Sequence, residues 1–244
     1  MEAQDSFISH LIELRNRLIR AGLAILVAFL CLMPWAGDIY DLLAHPMMAA
    51  LPEGTKMIAT GVVTPFMVPV KVTLMVAFVL ALPVVLYQAW AFVAPGLYAH
   101  ERRFALPMIV GSTLLFAMGM AFCYFFVFGT VFSFITSFAP KSITPAPDID
   151  QYLSFVMTMF LAFGVTFEVP VVVILLVKTG LVTIEQLSQA RRYIIVGAFV
   201  VAAVVTPPDV TSQVMLAVPM CLLFEAGLLI ARLMQKRSVA AGSS

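Results

Sequence analysis

The chain has 244 residues, of which 62% are hydrophobic and only 11% charged, and its mean hydropathy is +1.05. A soluble domain carries about a quarter charged residues. This composition therefore offers no aqueous surface and is that of an all-α integral membrane protein that crosses the bilayer several times. A net charge of +1 excludes a strongly basic nucleic-acid binder.

In chain order, the first pattern is Phe7, Leu11, Leu14 and Leu18, spaced as one face of a helix. Glu13 and Arg17 stand four apart and can pair along it. The pattern predicts an amphipathic helix over about 5–18, lying on the cytosolic membrane surface. Glu2, Asp5 and Glu13 lie ahead of the first apolar run, and no small-residue cleavage site follows it. That run is expected to remain as a helix rather than leave as a signal peptide.

A helix needs about 20 apolar residues to cross about 30 Å of hydrocarbon. Six spans are predicted, at 19–36, 70–92, 106–128, 152–177, 193–206 and 210–231. The last two are expected to be short. The fifth has 14 residues from Tyr193 to Thr206, and the sixth has 11 uncharged residues between Gln213 and Glu225, interrupted by Pro219. All of residues 1–235 form one membrane domain in this reading, followed by a flexible tail over 236–244.

Orientation follows from the basic residues. Arg15, Arg17 and Arg20 precede the first span, and Arg102 and Arg103 join the second to the third. Lys178, Arg191 and Arg192 join the fourth to the fifth, and Arg232, Lys236 and Arg237 close the chain. Together these are 11 of the 14 lysines and arginines. By the positive-inside rule that face is cytoplasmic, with both termini on it. The opposite links are rich in proline, with Pro46, Pro52, Pro65 and Pro69 in one and Pro140, Pro145 and Pro147 in the other. They read either as stiff ordered caps or as simple punctuation.

Polar groups inside hydrocarbon cost at least about 2.5–3.5 kcal/mol each on insertion scales, so each needs a reason. Glu168 falls near mid-bilayer in the fourth span. Pro170 follows it and gives no N–H to the Thr166 carbonyl, so a kink is expected there. The resulting cluster of Glu168 and Thr166 reads as a functional polar patch or as a protonated structural contact. Glu225, nearer its helix end, is expected to snorkel. In Thr206-Pro207-Pro208-Asp209 the prolines end one helix and Asp209 is placed to cap the next.

Glu101 precedes the third span, where it complements the helix dipole. It also adjoins Arg102 and Arg103, although residues one and two apart on a helix do not face each other. Glu101 can therefore accept a cation from another chain, and Glu13 is a second candidate on the same face. Carboxylates facing the cytosol suit guanidinium ligands, whose planar fork donates two parallel bonds. Metalloprotease, nucleophile-elbow and phosphate-loop motifs are missing. Cys31, Cys123 and Cys221 lie in separate apolar runs, and His10, His45 and His100 are scattered. No enzyme, cofactor or metal site is expected.

Four stretches, His10-Leu-Ile-Glu-Leu-Arg-Asn-Arg-Leu18, Phe92-Val-Ala-Pro-Gly-Leu-Tyr-Ala-His-Glu-Arg-Arg103, Phe163-Gly-Val-Thr-Phe-Glu-Val-Pro170 and Thr206-Pro-Pro-Asp209, resemble the TatC family. That family supplies the multispanning receptor of the bacterial twin-arginine protein translocase, and the resemblance runs over about residues 5–235. It implies binding of twin-arginine signal peptides and outward passage of folded proteins, driven by the proton motive force across the cytoplasmic (inner) membrane. It also implies a cytosolic signal site made by Glu101, Phe92, Leu11, Glu13 and Arg15, and places Pro46 in the external cap. Glu168 would line a concave polar face within the membrane. Single-span TatA- and TatB-like subunits would pack along the fifth and sixth helices, and self-association is expected. Two rival classes are a proton-coupled transporter relaying through Glu168 and a passive scaffold. Neither distinguishes a twin-arginine peptide from its twin-lysine version, whereas a bidentate carboxylate site does.

Overall fold

The computed structural model describes residues 2–50, 57–93, 102–138, 146–206 and 209–242. Among them every element is helical apart from one isolated two-residue bridge. Five helical stretches are long and apolar enough to cross a membrane: Ile8–Pro46, Thr64–Phe92, Leu106–Ile135, Ile149–Lys178 and Val210–Gln235. The chain divides into two compact units, one of Met1–Ala44 with Ala59–Thr113, the other of His45–Ile58 with Leu114–Ser244.

In the first unit α1 runs unbroken over Glu2–Leu32, then passes through a 3₁₀ turn at Met33–Trp35 into α2, Ala36–Ala50. The expected division between a surface helix and the first span is absent. No proline lies between Leu18 and Leu32, and Gly22 alone does not end a helix whose other positions favour it. Leu14, Arg17, Ala21, Ala24 and Ala28 are among the half-buried positions and recur every three or four residues. The alanines allow close approach to α3, Thr64–Val93, the helix against which α1 packs. Helix α3 runs through Pro69 and Pro83, so Pro69 belongs to the helix rather than to the external link. In α4, Arg102–Phe122, Ser112 accepts a hydrogen bond from the buried Trp90 Nε1 at 3.0 Å, tying α3 to α4.

The second unit ties the two proline-rich links together. Ile58 N–H donates to the Pro147 carbonyl at 3.0 Å, and Ile149 N–H returns to the Ile58 carbonyl at 2.9 Å. Asp148 Oδ1 also accepts from the backbone N–H groups of Asp150 and Gln151, at 2.9 and 3.1 Å, and so caps α6, Ile149–Phe167. The third apolar run continues past its expected end through a π-turn, Cys123–Val127, into α5, Phe128–Phe138. Close approach of its two partners explains two glycines. A Cβ at Gly119 would lie 2.5 Å from the Phe163 carbonyl oxygen, and one at Gly164 would enter the Phe116 ring.

The kink expected at Pro170 is a full interruption. Helix α6 ends at Phe167, Glu168 intervenes, and α7 runs over Val169–Lys178. Glu168 N–H tightens onto the Val165 carbonyl at 3.0 Å, because the proline that follows cannot continue the regular ladder. A short helix α8, Ile184–Gln189, has a reciprocal capping box. Thr183 Oγ1 accepts from Gln186 N–H at 3.2 Å, and Gln186 Oε1 accepts from Thr183 N–H at 2.9 Å.

Helix α9, Arg191–Val205, has 15 residues and is short, as expected for the fifth run. Helix α10, Val210–Gly242, is not short: it has 33 residues, of which Val210–Gln235 are apolar enough to span. It passes through Pro219, which neighbouring helices in an apolar setting tolerate. It also passes Glu225, whose charge is matched by an arginine. The expected flexible tail is helical through Gly242, as its alanines and basic residues favour. Val173, Ile184, Leu187, Phe224, Leu228 and Ala231 form the buried cluster that joins α7, α8 and α10.

Candidate functional site

The signal-site candidates among the described residues lie in the first unit, at the N-terminal turns of α1 and the C-terminal end of α3. The ring of His10 stacks on that of Phe92 with centroids 4.3 Å apart and planes at 20°. One aromatic contact thus holds the beginning of α1 beside the residue from which the 92–103 hinge departs. Glu13 lies one turn further along α1. Arg17 Nε donates to Glu13 Oε1 at 2.9 Å, and Nη2 reaches the same oxygen. The pairing expected from the i,i+4 spacing is present. Both donors end on Oε1, so among the described residues no bond reaches Oε2.

Ser9, Ile12, Glu13, Asn16, Arg17 and Arg20 line a groove of about 320 Å³ along one face of α1. At 3.6 residues per turn Leu11 and Arg15 fall on the opposite side of the helix. Leu11 is 47% exposed, and among the described residues Arg15 reaches only Asn16 Oδ1, at 3.3 and 3.4 Å. The structure therefore brings His10 onto Phe92, leaves Glu13 one turn along α1, and turns Leu11 and Arg15 away from the groove. Glu101 lies outside the described residues; α4 begins at Arg102, one position later.

The remaining candidates belong to the second unit. Thr166 and Glu168 are buried, at 4% and 7% exposure, where α6 gives way to α7. Asp209 does what its position in the sequence predicts: its Oδ1 accepts from Ser212 N–H at 2.7 Å and caps α10. Pro207 and Pro208 lie outside the described residues. Pro46 is half-buried inside α2.

One charged pair was not legible in the sequence. Arg191, the first residue of α9, meets Glu225 of α10 with Nε 2.6 Å from Oε1 and Nη2 donating to Oε2 at 2.8 Å. The pair is 34 residues apart in sequence, and Glu225 is bound rather than snorkelling alone. Close to Glu225, a Cβ added at Gly227 would meet the Pro170 Cα at 2.9 Å, which seats α10 against the start of α7. No group of three or more potential metal ligands occurs among the described residues.

Comparison with known proteins places this architecture among relatives. The family model described as TatC, Sec-independent protein translocase protein, matches residues 9–219. The Sec-independent protein translocase protein TatC of Haemophilus influenzae is 50% identical over 237 residues, 97% of this chain and 93% of its own. The protein of the same name from Escherichia coli strain K12 is 51% identical over 232 residues, 95% of this chain and 90% of its own. A crystal structure of the twin-arginine translocase receptor TatC superimposes with a TM-score of 0.79 at 39% identity, covering 92% of this chain and 98% of the other.

Proposed function

Because the chain belongs to the TatC family of Sec-independent protein translocase proteins, we propose that it is a receptor subunit that binds the twin-arginine signal peptides of folded cargo. In this reading it has six spans in the bacterial cytoplasmic membrane, α9 being the short fifth, with both termini in the cytoplasm. The proton motive force drives export, with no nucleotide and no catalytic group of its own. TatA- and TatB-like single-span subunits and further copies of the chain are its partners.

The observation that carries the reading is the His10–Phe92 stack. It puts the Glu13 turn of α1 at the root of the hinge that bears Glu101. A signal peptide presents two adjacent guanidinium groups. Glu101 takes one as a bidentate acceptor, and the open Oε2 of Glu13 takes a bond from the other while Arg17 holds Oε1. Phe92 gives an apolar and aromatic wall against which a guanidinium plane can stack. Leu11 and Arg15, on the far flank of α1, act through that helix's placement rather than through the peptide.

Within the membrane Glu168 and Thr166 form a buried polar step beside a short neighbour. Helix α9, at 15 residues, is roughly 22 Å long against a hydrocarbon core of about 30 Å. The bilayer thins around it or the flanking residues snorkel. This thinned zone is where single-span partners gather.

The test is binding of the purified protein to a twin-arginine peptide and to its twin-lysine version. The arginine form is expected to bind more tightly, since a compact ammonium cannot make the fork contact. Crosslinking of a twin-arginine signal should be abolished in Glu101→Ala and only reduced in Glu101→Asp. Full crosslinking by Glu101→Ala overturns the assignment.

A further inference from the structure

The ion pair between Arg191 and Glu225 sets a step in the second unit. It fixes the first residue of α9 at the level of Glu225. The apolar part of α10 continues for ten more residues, from Glu225 to Gln235, which is roughly 15 Å. These last turns of α10 run past the start of α9 and stand beside α8. Between them lies a groove of about 940 Å³.

Its composition is specific. Ile184, Leu229 and Leu233 supply apolar surface, continuous with the buried cluster that contains Ile184 and Leu228. Glu185 and Ser188 stand on the α8 wall and Arg232 on the α10 wall. Arg232 Nη2 donates to Ser188 Oγ at the long distance of 3.3 Å, and Glu185 takes no bond among the described residues. Among the described residues, one cation and one carboxylate thus line the same opening with most of their bonding capacity unused.

The groove also lies at the end of an apolar stretch: the candidate span of α10 ends at Gln235, which lines it. At the start of α9 the Arg192 guanidinium lies 4.8 Å from the centroid of the Tyr193 ring, and Tyr193 is 65% exposed. An exposed tyrosine beside arginines at a helix end marks the membrane–water boundary.

We propose that this groove is a binding site for an aminophospholipid bearing a phosphoethanolamine headgroup. The Arg232 guanidinium binds the phosphate, as its fork geometry suits. The Glu185 carboxylate accepts hydrogen bonds from the primary ammonium, and the acyl chains follow Leu229 and Leu233. The two walls of opposite charge decide between headgroups. A glycerol headgroup brings no cation for Glu185, and a choline brings a cation without a hydrogen to donate. The inference rests on the end of that apolar span and the geometry of one unit, not on the signal-peptide reading, so either can fail alone.

The test uses the full chain purified in detergent and native mass spectrometry with dioleoyl-phosphatidylethanolamine, -phosphatidylcholine and -phosphatidylglycerol supplied at equal concentration. The expected result is retention of one phosphatidylethanolamine in preference to the other two. Arg232→Ala should lower that retention roughly tenfold, the order of one charge-assisted hydrogen bond. Glu185→Gln should erase the preference over phosphatidylcholine. Glu185→Lys, which puts two cations at the opening, should switch the preference to phosphatidylglycerol, a change that loss of folding does not produce. Equal retention of the three lipids by the unmodified protein overturns the proposal. So does a preference unmoved by Glu185→Lys.

Discussion

At the scale of single residues, the signal-site candidates divide into groups that meet and groups that do not. Stacking of His10 on Phe92 is an aromatic contact of the kind that contributes about 0.5–1.5 kcal/mol beyond its buried area. His10→Ala is therefore expected to weaken twin-arginine peptide binding by about three- to tenfold in a fluorescence titration. His10→Phe, which keeps the stack, should restore it. Equal binding by the alanine and phenylalanine variants would show that the contact positions nothing. Arg191 and Glu225 offer a reciprocal test. Each side chain is close to half exposed, so the pair is worth only modest stability, and either single reversal should lower the unfolding temperature by about 2–4 °C. The double exchange Arg191→Glu with Glu225→Arg should recover it. Asp209 and the Glu13–Arg17 pair were legible in the sequence because their partners lie three and four residues away. The Arg191–Glu225 and Trp90–Ser112 contacts, 34 and 22 residues apart, depend on how helices come together.

At the scale of helices, the length of an apolar run proved a good guide and its interruptions a poor one. Pro69, Pro83, Pro107 and Pro219 all sit inside helices. In an apolar surrounding the backbone has no water to turn to, so it continues as helix and leaves the lost bond to be satisfied locally. Pro170 coincides with a break, and there a buried carboxylate precedes it, while Pro34 lies in the 3₁₀ turn between α1 and α2. The correction to the last span follows from the same reasoning, because a matched charge such as Glu225 does not end a helix. Only α9 remains short. Inserting one apolar turn of four residues after Val200 should leave signal-peptide binding intact and block export of a folded reporter. Undiminished export would count against a role for local thinning. Packing gives a separate test: Gly164→Val pushes a side chain into the Phe116 ring and should destabilise the protein by about 1–3 kcal/mol, seen as a lower unfolding temperature.

On the scale of the whole molecule, a chain that is 62% hydrophobic leaves many large apolar side chains on its surface, among them Leu18, Leu30, Phe125 and Val204, each more than half exposed. A bilayer is the surrounding in which such a surface is stable. Recognition between exposed carboxylates and guanidinium groups is screened by ions, with a Debye length near 8 Å at physiological salt. Peptide affinity measured from low to high salt should therefore fall steadily for the twin-arginine form. A flat salt profile would assign the affinity to apolar contacts instead.

By itself the sequence determined the membrane class, the positions of the apolar helices, the shortness of α9, the cap at Asp209 and the local ion pair on α1. Each of these follows from composition or from groups within a turn of one another. The tertiary structure alone decided that α1 is one continuous helix and that α10 runs its full length. It also decided that His10 lies on Phe92, that Arg191 matches Glu225, and that a groove opens between α8 and α10. Apart from the continuity of α1, which no local breaker opposes, those outcomes depend on which faces of distant helices meet, and the interaction that settles each one comes from a residue far along the chain.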